Sequence, residues 1–453
     1  MRLKQPLITW KSSGKANSLR ILGVNPWIYD FAAYNVWSRP AGLLTCLDMF
    51  ARSGCDTALI DLMDQDLSDL KWTDHKKTGK GPYPKVALPK PFVLKDVPRQ
   101  FSRYGLPRQR AVEAFSELDP KPDLILVTSL MTYWYAGIIS VIGMIREIMP
   151  GVKVCLGGIY ATLCTDHARG LDADMVVSGP LERPDNWLRV WELMGKKSPP
   201  LPEHAGMIPD ISYYQEPDFS ILMCSRGCPF KCPYCASSML YPGFRQSDPD
   251  IVIAHIKAEY ERGTRDFCFY DDALLVNPEN LLYPVLNFII EHNYNLRLHA
   301  PNALHIKYLT PRICTLLKQA GLSTIRLGLE TTDFKNRRDA KLLFEEWRDG
   351  IFNLLQAGFV RRDIVVYVLT GLPGQTEEEV EATLRECLKM GIRPELNYYS
   401  PIPGTPLFKK AVEVSGYALD EPLFQNNSIW PCVQGGFSWE TQKCWKKKIR
   451  NPQ

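Results

Sequence analysis

The sequence predicts an α/β protein in two parts: a Rossmann-like, doubly wound parallel sheet followed by a partial (β/α)6 barrel of the TIM type. Short apolar runs alternate with segments of helical apolar spacing between residues 18 and 178, which is the pattern of a parallel sheet. The alternation restarts at Phe219 and supplies six strand-helix units, too few for a closed eight-unit barrel and enough for an open one. At 453 residues the chain also exceeds the roughly 250–300 over which one core grows, so two domains are expected.

The first strand is read at 18–25, ending in Asn25-Pro26, and a helix follows over 42–53 with Leu43, Leu44, Leu47 and Phe50 at helical spacing. Strands at 57–61, 123–129, 152–156 and 175–178 and a helix at 137–149 complete the first sheet. Ligands of such sheets bind off the carboxyl ends of the strands, so Asn25, Pro26, Thr128, Ser129, Gly157, Gly158 and Gly179 stand at the expected edge. Residues 65–120 break the rhythm with prolines and basic residues and read as an insertion. Its Phe101-Ser-Arg-Tyr-Gly105 offers aromatic and cationic groups to a ligand, against the plainer reading of a surface excursion. Residues 184–218, with Pro199, Pro200, Pro202 and Pro209, read as a linker, giving domains at 1–183 and 219–408 and a tail at 409–453.

In the second part, strands are read at 220–223, 267–270, 296–300, 324–329, 364–369 and 395–399. Helices fall at 249–261, 278–292, 311–320, 338–357 and 377–390, several opened by proline or acidic residues. The tail shows little periodicity, and its Trp430, Trp439 and Trp445 suggest a segment packed over the barrel or a lid.

Composition excludes several classes. Hydrophobic residues at 45% and charged residues at 23% match folded soluble domains and rule out disordered, collagenous and disulfide-scaffold chains. The 54 basic and 50 acidic side chains leave a net charge of +4, so no nucleic-acid or membrane partner is read from charge. Residues 1–15 lack the apolar core of a signal peptide and no run approaches the roughly 20 apolar residues of a membrane span, so a cytoplasmic location is expected.

Most of the thirteen cysteines sit singly within apolar runs, where a thiol packs as a small hydrophobe. Cys224, Cys228, Cys232 and Cys235 instead crowd into twelve residues directly after the first barrel strand. Thiolates at this spacing suit one inorganic core, in one of two ways. All four bind a closed structural metal such as zinc, or three bind a 4Fe-4S cluster and leave its fourth iron open.

The string Ser225-Arg-Gly-Cys-Pro-Phe-Lys-Cys-Pro-Tyr-Cys235 resembles the signature of the radical S-adenosylmethionine (SAM) superfamily, and the six-unit barrel is similar to that family's fold over about 220–405. The resemblance implies that Cys228, Cys232 and Cys235 hold a 4Fe-4S cluster whose open iron binds SAM, which one-electron reduction cleaves to a 5'-deoxyadenosyl radical. It places Tyr234 near the adenine, Asn302 and Glu330 around the methionine and ribose, and Gly371 where the backbone approaches adenine or ribose. Asp271 and Asp272 stand where the family has a Gly-Gly-Glu-like turn for the methionine amine, and this chain departs from that turn. Cys224 reads as a buried thiol.

Many relatives carry a cobalamin-binding domain before the barrel, and the strand-end residues of the first half resemble one. The Asp-x-His-x-x-Gly motif that supplies histidine to cobalt is missing; His167 reads as a helix residue, and the resemblance implies cobalamin without a protein histidine ligand. Met131-Thr-Tyr-Trp-Tyr135 either covers the corrin or forms a domain interface. The resemblance thus implies a cobalamin-dependent enzyme methylating an unactivated carbon of a small molecule, with flavodoxin or ferredoxin as reductant. The alternatives are a radical enzyme without cobalamin, performing rearrangement, cyclisation or methylthiolation, and a non-enzymatic cluster or cobalamin protein acting as redox sensor or carrier. Against methylthiolation, Cys46, Cys55, Cys155 and Cys164 do not reproduce that branch's extra cluster motif.

Overall fold

A computed structural model describes residues 7–65, 79–207, 209–215, 217–339, 341–433 and 437–451. The chain divides into two compact units, Met1–Asp218 and Phe219–Gln453.

The first unit is built on five parallel strands, β1 (Arg20–Asn25), β2 (Asp56–Asp61), β3 (Leu124–Val127), β4 (Lys153–Leu156) and β5 (Met175–Val176), in the order β5-β4-β3-β1-β2. This is the flavodoxin-like order, with its switch point between β1 and β3. Ile21–Val24 align with Leu124–Val127 in parallel register. Leu124–Val127 is buried throughout, as a strand covered on both faces requires. Helices α1 (Ala41–Arg52) and α3 (Tyr135–Ile148) contribute Leu43, Leu44, Leu47 and Ile138, Val141, Ile142 as buried residues.

Two expectations are corrected here. The described part of the 65–120 insertion has regular structure of its own: it runs at the surface over 85–100 and is anchored in the core on either side, and residues 66–78 of it lie outside the described residues. Strands Lys85–Ala87 and Ser102–Tyr104 join Ile28–Asp30 in an antiparallel sheet, and helix α2 (Arg108–Ser116) buries Ala111 and Phe115. Phe101 and Tyr104 are core residues and Arg103 lies over the Trp27 ring, so this stretch presents no aromatic face to a ligand.

The 184–218 segment is likewise not a linker. Helix α4 (Pro184–Leu193) starts on the proline, where the missing N–H is harmless, and places Trp187 and Trp191 against Phe50 at 4.9 and 5.7 Å. The chain then returns along the edge strand: Tyr213 Oη and Thr57 Oγ1 lie 2.7 Å apart, and the Tyr214 hydroxyl donates to Asp61 at 2.7 Å. These contacts cover an edge that would otherwise invite pairing.

The second unit carries six parallel strands in sequential order: β6 (Ser220–Leu222), β7 (Asp266–Phe269), β8 (Arg297–His299), β9 (Leu322–Glu330), β10 (Ile364–Thr370) and β11 (Arg393–Tyr398). The sheet is open, with β6 and β11 at its ends. Its helices are α5 (Pro249–Glu261), α6 (Leu282–Glu291), α7 (Pro311–Gln319), α8 (Phe344–Gln356) and α9 (Glu377–Lys389). Asp248 and Thr310 cap α5 and α7 with proline at the first turn, and Thr376 with Glu379 forms a capping box on α9. Phe267, Leu298, Ile325, Leu327, Ile364 and Val366 share one core with the helices. By the two-residue alternation of strands, Asp266, Arg326 and Glu395 belong to the opposite, inner face, and the register of β9 shifts between Gly328 and Glu330.

The described residues of 409–451 hold more regular structure than their sequence suggests. Helix α10 (Pro406–Val414) crosses the expected boundary, and α11 (Trp439–Arg450) packs its fully buried Trp445 against Val368, Val380 and Leu384. Trp445 Nε1 donates to Glu381 at 3.1 Å and Lys448 pairs with the same carboxylate at 2.9 Å. The basic run is thus partly an ion-pairing face. Among the described residues no helix is long and apolar enough to cross a membrane. Trp445→Ala removes a large buried ring from this seam and is expected to cost about 3–5 kcal/mol in denaturant unfolding of the second unit. A loss under about 1 kcal/mol would make α11 an appendage.

Candidate active site at the carboxyl ends of the strands

The cysteine loop is set by its backbone. Ser225–Arg226 pairs antiparallel with Arg245–Gln246, and Gly227 follows with φ +76°. A Cβ at Gly227 would stand 2.0 Å from the Gly243 carbonyl oxygen, so only glycine permits the turn that delivers Cys228. The Cys235 N–H donates to the Cys232 carbonyl at 3.1 Å. Cys228, Cys232 and Cys235 are all half-buried, whereas Cys224 and Cys268 are fully buried. Burial raises the Cys228 thiol and pushes Cys232 up to about 11, opposed at Cys232 by the nearby Lys341 ammonium.

Among the described residues no three His, Cys, Asp or Glu side chains converge as they would around one metal ion. A cubane, by contrast, takes each of three thiolates on a different iron and holds them farther apart. The donor set, three thiolates on one loop beside a cation, fits a cluster. Cys224 belongs to the barrel core, away from a ligand role.

A buried network links this loop to the end of β9. The Tyr234 hydroxyl donates to Asp339 at 2.6 Å, and burial with the Glu330 and Asp339 charges raises its pKa far above the phenol range. Arg337 grips Asp339 with Nε and Nη2, at 2.9 and 3.1 Å, and donates through Nη1 to the Leu329 and Thr331 carbonyls. Both side chains of that pair are almost wholly buried, at 2% and 3% exposure. Lys341 Nζ bonds Glu330 at 3.1 Å and lies 3.7 Å from Asp339. Glu330 itself has φ +64°, a left-handed conformation costly for a side chain of this size and typical of functional sites.

Sequence reasoning missed Asp339 and Lys341 because 338–357 reads as helix, and Arg337 stands directly before that stretch. The helix starts only at Phe344, and the charged run directly after a strand-end glutamate was the available signal.

The structure brings Tyr234 and Glu330 together around this network and separates the two aspartates. Asp271 turns inward, accepting from the Ser225 hydroxyl at 2.6 Å and the Cys224 N–H at 3.3 Å. Burial pushes its carboxyl up to about 7, against the opposing hydrogen bond from Ser225. It clasps the root of the cysteine loop, which corrects its expected place in a methionine-binding turn. The Asp272 charge helps raise the Cys228 thiol, and desolvation raises the Asp272 carboxyl itself. Asn302 is exposed and donates to the Tyr270 carbonyl at 3.0 Å, tying the ends of β7 and β8. Gly371, at φ +87°, donates its N–H to Gln375 Oε1 at 2.8 Å, and the space before its Cα is open.

In the first unit the expected residues line the carboxyl edge. Asn25 donates to Asp61 at 2.7 Å, and the Thr128 N–H donates to the Val24 carbonyl. The Ser129 hydroxyl donates to the Gly157 carbonyl at 2.7 Å, and a Cβ at Gly158, whose φ is +98°, would meet Ser129 O at 2.4 Å. Gly179 N–H donates to Thr162 at 2.9 Å. His167 lies in a helical turn with Nδ1 2.6 Å from the Tyr160 hydroxyl. Of the aromatic run, Tyr133 is buried, Trp134 donates to Asp30 and Tyr135 stacks on Tyr160, while Leu130 and Met131 are exposed.

A parallel open barrel with a three-cysteine loop after its first strand defines the radical SAM class. Residues 222–387 match the Radical SAM superfamily, and that stretch of the second unit carries both the barrel strands β7–β10 and the cysteine loop. The chain is 24% identical over 330 residues to an uncharacterised methyltransferase of Pyrococcus horikoshii, covering 64% of this chain and 70% of that protein. It is 23% identical to the hopanoid C-2 methylase of Rhodopseudomonas palustris, over 44% of this chain and 41% of that one. In fold it is similar to the radical SAM methyltransferase TsrM from Kitasatospora setae, solved with cobalamin and a 4Fe-4S cluster, at TM-score 0.59 and 15% identity, over 88% of this chain and 76% of that chain.

The raised Asp271 carboxyl carries a stability consequence. Between about pH 4 and 7 the unfolded chain has lost this proton and the folded chain keeps it, so stability falls as pH rises through that window and levels above it. Asp271→Asn cannot ionise. Its melting temperature relative to the parent is expected to rise by several degrees from pH 4 to pH 8, reflecting a few kcal/mol at about 1.4 kcal/mol per pKa unit. A constant difference across pH would show the carboxyl to be ionised throughout.

Proposed function

We propose that the chain is a cobalamin-dependent radical SAM methyltransferase acting on an unactivated carbon of a small molecule. The observation that carries the reading is the pairing of a three-cysteine barrel with a preceding flavodoxin-order sheet whose carboxyl edge is lined by small residues. That TsrM holds cobalamin and a cluster, and that two relatives are named as methyltransferase or methylase, supports it.

In this reading the first unit holds cobalamin at Asn25, Pro26, Thr128, Ser129, Gly157, Gly158 and Gly179, with exposed Leu130 and Met131 as an apolar platform. When bound, the cofactors would supply the chemistry, methyl transfer from cobalamin and a carbon-centred radical from reductive SAM cleavage. This chain's residues position and insulate. Cys228, Cys232 and Cys235 hold the cluster, and Tyr234 closes its loop over the Asp339 network. Glu330 and Lys341 present a matched pair of charges toward the methionine end of SAM, and Gly371 leaves room beside the nucleoside. Electrons come from a low-potential flavodoxin or ferredoxin.

Anaerobic reconstitution with iron, sulfide and cobalamin is expected to load about four irons and one cobalt per chain. The Cys228→Ala, Cys232→Ala, Cys235→Ala triple variant should lose the iron alone, and only the parent should form 5'-deoxyadenosine with dithionite and SAM. Iron without cobalt would leave a radical enzyme whose first unit serves another purpose. Zinc in place of iron would sink the reading.

A further inference from the structure

The inner face of the barrel holds a charge pair that the cofactor chemistry does not use. Arg326, on β9, donates through Nη1 to Glu395 Oε2 on β11 at 2.9 Å, with the Tyr367 ring of the intervening β10 at 6.0 Å. Arg326 is only 9% exposed, and its Nε donor is buried without a hydrogen-bond partner among the described residues. Glu395 receives the arginine on one oxygen while its side chain remains 43% exposed. The neighbouring polar group of the inner face is closed on itself, with Asp266 shared between Arg297 and His299, and His299 bonded to Thr324.

A buried cationic donor left unpaired costs about 1–3 kcal/mol or more, so the arrangement calls for an acceptor supplied from outside the chain. The charge balance narrows what that acceptor belongs to. The pair is neutral, so a simple carboxylate would leave the inner face one negative charge in excess and a simple amine one positive charge in excess. A ligand bearing both charges keeps it neutral and meets both open groups.

Distance adds a second restriction. Arg326 pairs with Val365 and Glu330 with Val368, a span of three residues on the neighbouring strand and about 10 Å at the usual rise, so a group anchored at Arg326 extends a side chain toward the cofactor end. We propose that Arg326 and Glu395 form the anchoring subsite for a free amino acid, the substrate of the reaction above, with its carboxylate on the Arg326 Nε edge and its ammonium on Glu395. The proposal rests on the barrel being the substrate chamber of the proposed enzyme.

Saturation-transfer NMR on the reconstituted enzyme, with the twenty common L-amino acids as probes, tests it. At least one amino acid is expected to bind, and its decarboxylated amine and deaminated acid should each bind at least tenfold more weakly. Arg326→Gln and the half-exposed Glu395→Gln should each weaken binding at least tenfold, iron content and melting temperature reporting that each variant folds. Absence of amino acid binding, equal binding of the amine or acid, or binding indifferent to Glu395→Gln would overturn the subsite. SAM cleavage by the unsubstituted enzyme without amino acid separates the two readings. Cleavage without amino acid binding removes the subsite alone, and binding without cleavage removes the radical chemistry and leaves the subsite.

Discussion

The hydrogen bond from Tyr234 to Asp339 joins two stretches 105 residues apart and fixes the cysteine loop to the end of β9. It acts beside the Asp271 clasp and the Gly227 turn at the loop's root, the Leu407 N–H donated to the Pro233 carbonyl at 2.9 Å, and Phe230 stacked on His305 at 4.7 Å. Asp339 holds this position because Arg337 neutralises it and Arg337 in turn grips two backbone carbonyls of the strand end. Buried ion pairs of this kind add little net stability compared with an apolar core, while losing one partner costs about 3–5 kcal/mol. Their retention beside the cysteines therefore points to geometry as their purpose. The same network fixes Lys341 near Cys232, so one cation both balances Glu330 and offsets the negative charge that thiolates bring.

The strands of both sheets were legible because parallel strands covered on two faces must be apolar nearly throughout, and such runs are hard to mistake. The six barrel strands and the loop of three half-buried cysteines fall where the apolar runs and the cysteine spacing put them. The misreadings share one physical origin. Helix α4 has its tryptophans at helical spacing, yet the prolines after residue 198 made the whole stretch look irregular. Helix α11 buries little more than Trp445 and Gln442, too narrow a stripe to stand out among its lysines. Both are held by large rings meeting partners distant in sequence, such as Phe50 and Val380, and no local pattern announces such partners.

The polar interior was illegible for a different reason. Asp271 reads as a strand-end carboxylate available to a ligand, and only its hydrogen bonds to Ser225 and Cys224 show it spent on the fold. Glu330 reads the same way and is spent differently, on Lys341, in a backbone conformation that glycine would adopt at less cost. Adjacent residue types thus carry opposite roles, and the difference lies in what faces them across the barrel.

The distribution of satisfied and unsatisfied groups on the inner face follows the demands of radical chemistry. A reactive carbon radical is protected by excluding water and other hydrogen donors, so polar groups near it are best closed among themselves. Asp266, His299 and Thr324 meet that condition, as do Arg337 and Asp339. Arg326 departs from it: a cation buried in the same face whose Nε has no hydrogen-bond partner among the described residues. In a chamber otherwise closed on itself, an open charged donor is tolerable when a bound molecule completes it. The empty valence of the pair is then what distinguishes one substrate from another, while the rest of the face serves any radical equally.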